Sequence, residues 1–473
     1  MVHGPDRCGT MKNARRLLAA VCALVIGVYA YIAGVGESWS PNPSDANYNS
    51  LAQGFRAGQL SLKKEAPPGL SRLSDPYDPT ANEPYRIGPD HLQDLSYYKG
   101  RLYLYFGITP ALILFWPFVA LTGHYLSHRQ AALIFSGMGF LASVGLVRAL
   151  WRRYFPEVSV WVVAACALAL GLATCMPLLL ARCDVYEVSI SCGYAFTMLA
   201  LAAIGKAVHC SSQRGRWLAA ASLAYGLAVG ARPSLLFGGI ILLVPVVQAR
   251  QERCPVWALL AATIGPITFI GLGMMLYNDL RFDNPFEFGW RYQLAGARQL
   301  ARQSFSLSYL WFNFRVYFLE PLRWTARFPF LHEIAAPPLP PGYYNVEGAF
   351  GVLTNIPLVW LALAVPLAWR NRPEQSALIL RWFVAATALL FGVCALTLGC
   401  FWASTLRYEV EFLPALLLLA AVGILGLDRA LADRLVWRRA ARGGWGLLLG
   451  FSVALNLLAC LQYYVEALGG LGN

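Results

Sequence analysis

The chain has 473 residues, 58% of them hydrophobic and only 13% charged, with a formal net charge of +13. Mean hydropathy is +0.50, which excludes a soluble globular protein, because a chain of this length has no interior large enough to hide that much apolar surface. The positive charge lies mostly in short loops between apolar runs, where it sets orientation, so it does not read as a nucleic-acid footprint.

The apolar runs are roughly 18 to 22 residues long, the length a hydrocarbon layer of about 30 Å requires. The alternating segments of a membrane β-barrel are absent. The expected class is an all-α polytopic membrane protein with about eleven spans. The first run, Leu17 to Val35, follows Lys12, Arg15 and Arg16. It exceeds a usual signal-peptide core, so it reads as an uncleaved first span with its N-terminus cytoplasmic.

A long loop follows, residues 37–128, carrying Ser44-Asp45-Ala46-Asn47-Tyr48 near its start. Tyr48, Leu51, Ala52 and Phe55 repeat at helical spacing, which predicts an amphipathic helix over Asn47–Leu60 along the membrane surface. Ser44 or Asp45 is its candidate N-cap. Later in this loop Phe106 to Gly123 is apolar but interrupted by Pro110 and Pro117. If it crossed, Arg152-Arg153, Arg214/Arg216 and Arg438-Arg439 would all face outward, against the positive-inside bias. It therefore reads as an interfacial or re-entrant segment.

The remaining expected spans are Gln130–Leu150, Val158–Leu180, Val188–Ile204, Trp217–Val229, Leu235–Val247, Val256–Tyr277, Phe350–Trp369, Trp382–Phe401, Leu413–Leu427 and Trp445–Tyr464. Inner loops are then short and basic, and a second long outer loop runs over 278–349. Residues 1–430 form one module, and 431–473 hold a basic cytoplasmic segment and the last span. The eleven cysteines lack metal-ligand spacing and read mostly as small core residues. Cys183 and Cys192 lie where an oxidising compartment would allow a disulfide.

Candidate functional residues lie on the outer side. Asp45, Asp94, Asp184 and Glu187 are the candidate acids, and a carboxylate where a span meets the interface is costly unless paired or useful. For Asp184 and Glu187 the structural alternative is an ion pair with Arg182. Arg232, in a very short turn, and Arg407, before Tyr408, suit a phosphate through the guanidinium fork. For Arg407 the structural alternative is pairing with Glu409 or Glu411. Tyr277-Asn278-Asp279 opens the second long loop, whose aromatics suit a sugar or lipid site, or an interfacial belt. No Walker A loop, GxGxxG after a strand or HExxH is present, and the six histidines are scattered.

A set of these pieces resembles the GT-C superfamily of polyprenyl-phosphate-sugar-dependent glycosyltransferases, in particular the RgtA/B/C/D-like, protein O-mannosyltransferase and aminoarabinose transferase types. Asp45-Ala46-Asn47-Tyr48 stands where that family carries an acidic pair, with only the first acid present. Tyr105-Phe106-Gly107-Ile108-Thr109-Pro110-Ala111-Leu112 is similar to its His-Pro-Pro-Leu segment without the histidine. Asp184 matches the acid after the third span, Ala231-Arg232-Pro233 the turn that often carries Lys-Pro, and Arg407-Tyr408 with Pro414 the late Arg-Tyr segment.

The resemblance implies inverting transfer of a sugar from a polyprenyl-phosphate donor to a lipid, glycan or protein acceptor. The transfer would take place on the periplasmic face of a bacterial inner membrane. It implies Asp45 as base, with Asp184 and Glu187 assisting, and Arg407, Tyr408, Arg232, Asp94, Tyr48 and Asn278 binding substrate. A divalent metal is compatible with the family, but the single acid lends it no support here. A transporter or lipid flippase, and a non-catalytic relative that binds lipid-linked glycan, are the alternative functions.

Overall fold

The computed structural model describes residues 6–34, 47–87, 92–298, 304–326 and 328–469. Helix α1 (Asp6–Gly34) leads to a loop holding α2 (Asn47–Arg56), α3 (Pro79–Arg86), the hairpin β1 (Leu95–Tyr98) and β2 (Arg101–Leu104), and α4 (Trp116–Thr122). Next come α5 (His128–Tyr154), α6 (Val160–Leu172) with its continuation α7 (Met176–Arg182), α8 (Val185–His209) and α9 (Arg214–Ala231). A 3₁₀ stretch, Pro233–Leu243, continues into α10 (Val244–Gln251), and α11 (Trp257–Phe282) follows.

The second loop carries α12 (Leu310–Phe314), the antiparallel pair β3 (Arg323–Trp324) and β4 (Leu331–His332), and β5 (Val346–Glu347). The last part runs through α13 (Val352–Asn355), a 3₁₀ stretch Pro357–Ala368, α14 (Glu374–Gly399), β6 (Ser404–Thr405), α15 (Leu406–Glu409), α16 (Leu413–Ala430) and α17 (Leu435–Gly469).

Among the described residues, nine helices are long and apolar enough to cross a membrane, and the chain is an all-α polytopic membrane protein. The eleven expected spans each fall on a helical run. The two outside the nine are α9, which opens with Arg214 and Arg216, and Pro357–Ala368. The latter is short, but a 3₁₀ rise of about 2 Å per residue stretches it to roughly 24 Å.

Burial separates centre from rim. The α8 and α16 spans are each 83% buried within the protein, whereas α11 is only 6% buried, so its apolar surface is left for lipid. At the centre, α16 lies directly on the Pro357–Ala368 stretch. A Cβ on Gly423 would stand 1.9 Å from the Leu361 carbonyl oxygen, so only glycine permits that approach.

Ala111 to Thr122 forms a turn of π-helix and then α4, a short apolar run. At 1.5 Å per residue it spans roughly 18 Å, too little to cross. The amphipathic helix predicted over Asn47–Leu60 ends at Arg56, and its N-cap candidates lie among residues 35–46, outside the described residues. It does not lie bare on a surface: Tyr48, Leu51 and Ala52 are buried, and Tyr48 stacks on Phe115 at 5.2 Å. The disulfide allowed for Cys183 and Cys192 does not form. Both are buried and outside any disulfide, one in the turn before α8 and the other inside that helix.

Candidate functional site

The start of α8 builds one half of the site. Asp184 is its extended N-cap and accepts from the Val185 N–H at 2.6 Å, while Glu187 Oε2 accepts from the Asp184 N–H at 2.9 Å. This capping box is a local sequence effect. It also pins the fully buried Glu187 side chain, whose Oε1 lies 3.6 Å from Arg182 Nε and 3.8 Å from Arg407 Nη1.

A second acid closes the network. Strand β5 pairs in parallel with β6, Glu347 opposite Thr405, which brings Glu347 beside Arg407. Arg407 Nη2 donates to Glu347 Oε2 at 2.7 Å, and Arg182 donates to Oε1. Burial raises the Glu347 carboxyl, but the Arg407 and Arg182 guanidiniums outweigh it and hold the group below the ordinary glutamate value. His128 Nδ1 lies 3.8 Å from Asp184, whose side chain is 59% exposed.

Next to this network opens a cavity of about 460 Å³, walled by Tyr105, Tyr186, Trp290, Phe401 and Tyr408 and reached by Arg232. Arg232 sits in the break between α9 and the Pro233–Leu243 stretch. Its Nε and Nη2 donate to Glu411 Oε1 at 2.9 and 2.6 Å, Ser234 Oγ donates to the same oxygen at 3.0 Å, and its Cζ lies 5.2 Å from the Tyr408 ring. At the other end the lining includes Leu236 and Phe237, which are 54% and 66% exposed on the outer face of the bundle. The cavity thus has one end at the Arg232–Glu411 pair and one end open where lipid would be.

Gly107 makes the approach of the first loop possible. A Cβ there would meet the carbonyl oxygens of Ala231 and Gly230 at 2.2 and 2.3 Å, so the loop backbone rests on the turn that carries Arg232. That contact sets Tyr105 and Phe106 into the wall. Tyr105 donates to the Tyr186 hydroxyl at 3.0 Å, the Phe106 and Tyr186 rings meet edge-to-face at 4.5 Å, and Arg407 Cζ stacks 4.5 Å from Tyr186. Asp94 accepts from Gln293 Nε2 at 2.8 Å and Gln93 Nε2 at 3.2 Å. Burial raises its carboxyl, against hydrogen bonds from Tyr186, Gln293 and Gln93 that favour the charged form.

Of the residues expected from the sequence, Asp45 lies outside the described residues. Asp184, Glu187 and Arg407 meet in one network; Arg232 and Tyr408 line the adjoining cavity, and Asp94 stands behind Tyr186. Tyr48 and Asn278 are not among the residues that line the cavity. The Tyr48 hydroxyl donates to the Gly107 carbonyl at 3.1 Å. Asn278 accepts from Arg281 at 2.7 Å and donates to the Pro285 carbonyl at 3.3 Å. Neither Glu409 nor Glu411 pairs with Arg407. Glu411 serves Arg232, and Glu409 accepts from the Phe350 N–H at 2.9 Å and from Cys175 Sγ at 3.2 Å. Burial pushes the Glu409 carboxyl well above the ordinary range.

Neither a family model nor a curated protein matches the sequence. Among solved structures, the chain is similar to the crystal structure of ArnT from Cupriavidus metallidurans bound to undecaprenyl phosphate. Identity is 13%, the match covers 94% of this chain and 75% of that chain, and the TM-score is 0.45.

Sequence reasoning missed Glu347, Tyr186 and Trp290. Tyr186 stands two residues after Asp184, so proximity to a candidate acid was a usable signal. Glu347 gave none, since its partner strand lies far along the chain. Among the described residues no group of three or more His, Cys, Asp or Glu side chains is placed to hold a metal ion.

Proposed function

We propose that the chain is a membrane glycosyltransferase, moving a sugar from a polyprenyl-phosphate donor to a cell-envelope acceptor on the periplasmic face of a bacterial inner membrane, with inversion. The cavity carries this reading. An amphiphile with an anionic head and a long apolar tail matches a pocket with Arg232 at one end and exposed Leu236 and Phe237 at the other. Tyr105, Tyr186, Trp290 and Tyr408 offer aromatic faces between them, on which a sugar ring packs through its C–H surface. The basic short loops support the periplasmic orientation.

In this reading the acceptor hydroxyl loses its proton to a carboxylate as its oxygen bonds to the anomeric carbon. The sugar–phosphate C–O bond breaks, and its electron pair leaves on the phosphate, where cations stabilise it. Arg232 spends Nε and Nη2 on Glu411, which leaves Nη1 for a phosphate oxygen, with Ser234 and Tyr408 beside it. Arg407 Nε and Nη1 are buried without hydrogen-bond partners, one layer back behind Tyr186, as donors that a rearranged phosphate end can reach. Asp45 is the proposed base, on the resemblance set out above. Asp184, exposed at the head of α8, orients the acceptor, and Glu187 holds the arginines in place.

The test is transfer of labelled sugar from polyprenyl-phosphate donors by the full-length protein in proteoliposomes. Wild type is expected to transfer, and Asp45→Asn and Arg232→Gln to lose at least tenfold. Transfer at the wild-type rate by both folded variants would sink this reading.

A further inference from the structure

A second cavity, of about 620 Å³, lies between α5 and α8. Both helices run away from the network described above. His128 at the start of α5 faces Asp184 at the start of α8, and α8, 25 residues long, covers roughly 37 Å. The second cavity, at the far ends of both helices, therefore sits at the opposite membrane interface.

Small side chains open its floor. Ala142, Gly145 and Ala149 follow one face of α5, and Ala202 and Gly205 face them from α8, with Leu146, Leu199 and Phe383 as walls. Nothing lies within 4 Å of a Cβ built on Gly145, so this is open space rather than a tight helix crossing. Its mouth is basic. Arg152, Arg153, Lys206 and His209 line it, and the first three are exposed.

Among the described residues, Arg152, Arg153 and Lys206 have no acidic ion-pair partner. Glu157, the acid next along the chain, goes to Arg429 at 3.0 Å instead. Lys206 Nζ rests 4.0 Å from the Trp217 ring, and the Tyr154 hydroxyl lies 2.6 Å from His209 Nε2, so the rim is ordered by aromatic contacts that leave the charges unneutralised. We infer that this groove binds an anionic membrane phospholipid, with its phosphate among Arg152, Arg153, Lys206 and His209 and an acyl chain along Ala142, Gly145 and Leu146. Cationic pockets between spans at an interface are matched to such headgroups, and the apolar floor selects a lipid over a free phosphate. The inference stands apart from the transferase reading, because no residue of the first cavity takes part.

The experiment is native mass spectrometry of the full-length protein released from nanodiscs that hold phosphatidylglycerol and phosphatidylcholine in equal amounts. Wild type is expected to retain phosphatidylglycerol preferentially. Lys206→Gln lowers that preference about fivefold, and Arg152→Gln/Arg153→Gln/Lys206→Gln together by on the order of a hundredfold. Gly145→Leu fills the floor, leaves the charges in place, and is expected to abolish retention. Equal retention of the two lipids by wild type overturns the inference. So does unchanged retention in Gly145→Leu, or displacement by glycerol phosphate at millimolar concentration. If the triple variant does not fold, Lys206→Gln, at an exposed position, carries the charge test alone: an unchanged preference there overturns it too.

Discussion

Glu347 and Arg407, far apart in the chain, are joined by a 2.7 Å hydrogen bond, Arg407 Nη2 to Glu347 Oε2. Glu347 also takes Arg182, so this one carboxylate ties the end of α7 to the segment before α16. Glu187 performs the same bridging from inside the protein, 3.6 and 3.8 Å from the same two arginines. Two acids thus balance two buried or half-buried cations that could not otherwise be held side by side.

Glu347→Gln leaves Arg407, only 11% exposed, with one weaker partner. Breaking a fully buried pair costs about 3–5 kcal/mol. Glu347 is 39% exposed, so the expected loss is smaller, about 2 kcal/mol. It is read as a lower midpoint in thermal unfolding of the purified protein. The native carboxyl lies below its unfolded value of about 4.3. Its contribution is therefore fully present above that value and lost as pH falls through the native one. The gap between wild type and variant is expected to stay constant from about pH 8 to 6 and to close at the acid end. A gap that widens with acid contradicts the assignment.

Asp184→Asn separates capping from chemistry. Asparagine caps a helix about as well as aspartate, so thermal stability is expected to change by less than about 0.5 kcal/mol. If the carboxylate orients the acceptor, transfer falls at least tenfold with the acceptor KM raised. Wild-type transfer in this variant leaves Asp184 as a cap alone.

Gly107→Ala drives a methyl into the Ala231 and Gly230 carbonyls. Overpacking of this kind costs about 1–3 kcal/mol. The loop must lift from the turn that carries Arg232, so Tyr105 leaves the cavity wall. Donor binding by the full-length variant, measured by calorimetry with polyprenyl phosphate, is expected to weaken with stability. Gly100→Ala, in an open hairpin turn with positive φ, is the control that strains the loop without touching the cavity.

Arg232 and Glu411 test the phosphate end. Arg232→Gln removes a charge-assisted contact worth about 1.5–3 kcal/mol, so the Kd for polyprenyl phosphate is expected to rise roughly 10- to 100-fold. Glu411→Gln frees Nε and Nη2 and removes a competing negative charge. It is expected to tighten polyprenyl-phosphate binding while lowering stability. Weaker binding in Glu411→Gln means that the acid positions the guanidinium rather than competing with the ligand.

Hydropathy and charge asymmetry alone determined the class and the helical runs, and gave Phe106 to Gly123 as the odd run among them. Those properties are local: lipid imposes a minimum length on each apolar run, and short basic loops set its direction. The capping box at Asp184 and Glu187 is equally local, a spacing of three residues at the head of a helix. The sequence also named Arg232 and Arg407 as residues of interest, because charge beside an apolar run is costly, and Tyr408 through the family resemblance. Only the tertiary structure decided their partners. Glu411 went to Arg232 rather than to the nearer Arg407, since the break after α9 brings the Arg232 guanidinium to the head of α16. Glu347 reached Arg407 through a two-residue parallel pairing between distant segments, a contact with no sequence period to announce it. Tyr48, named from the sequence for the substrate, is buried behind Gly107 of the cavity wall, because α2 folds onto the Ala111–Thr122 segment instead of lying open on the membrane.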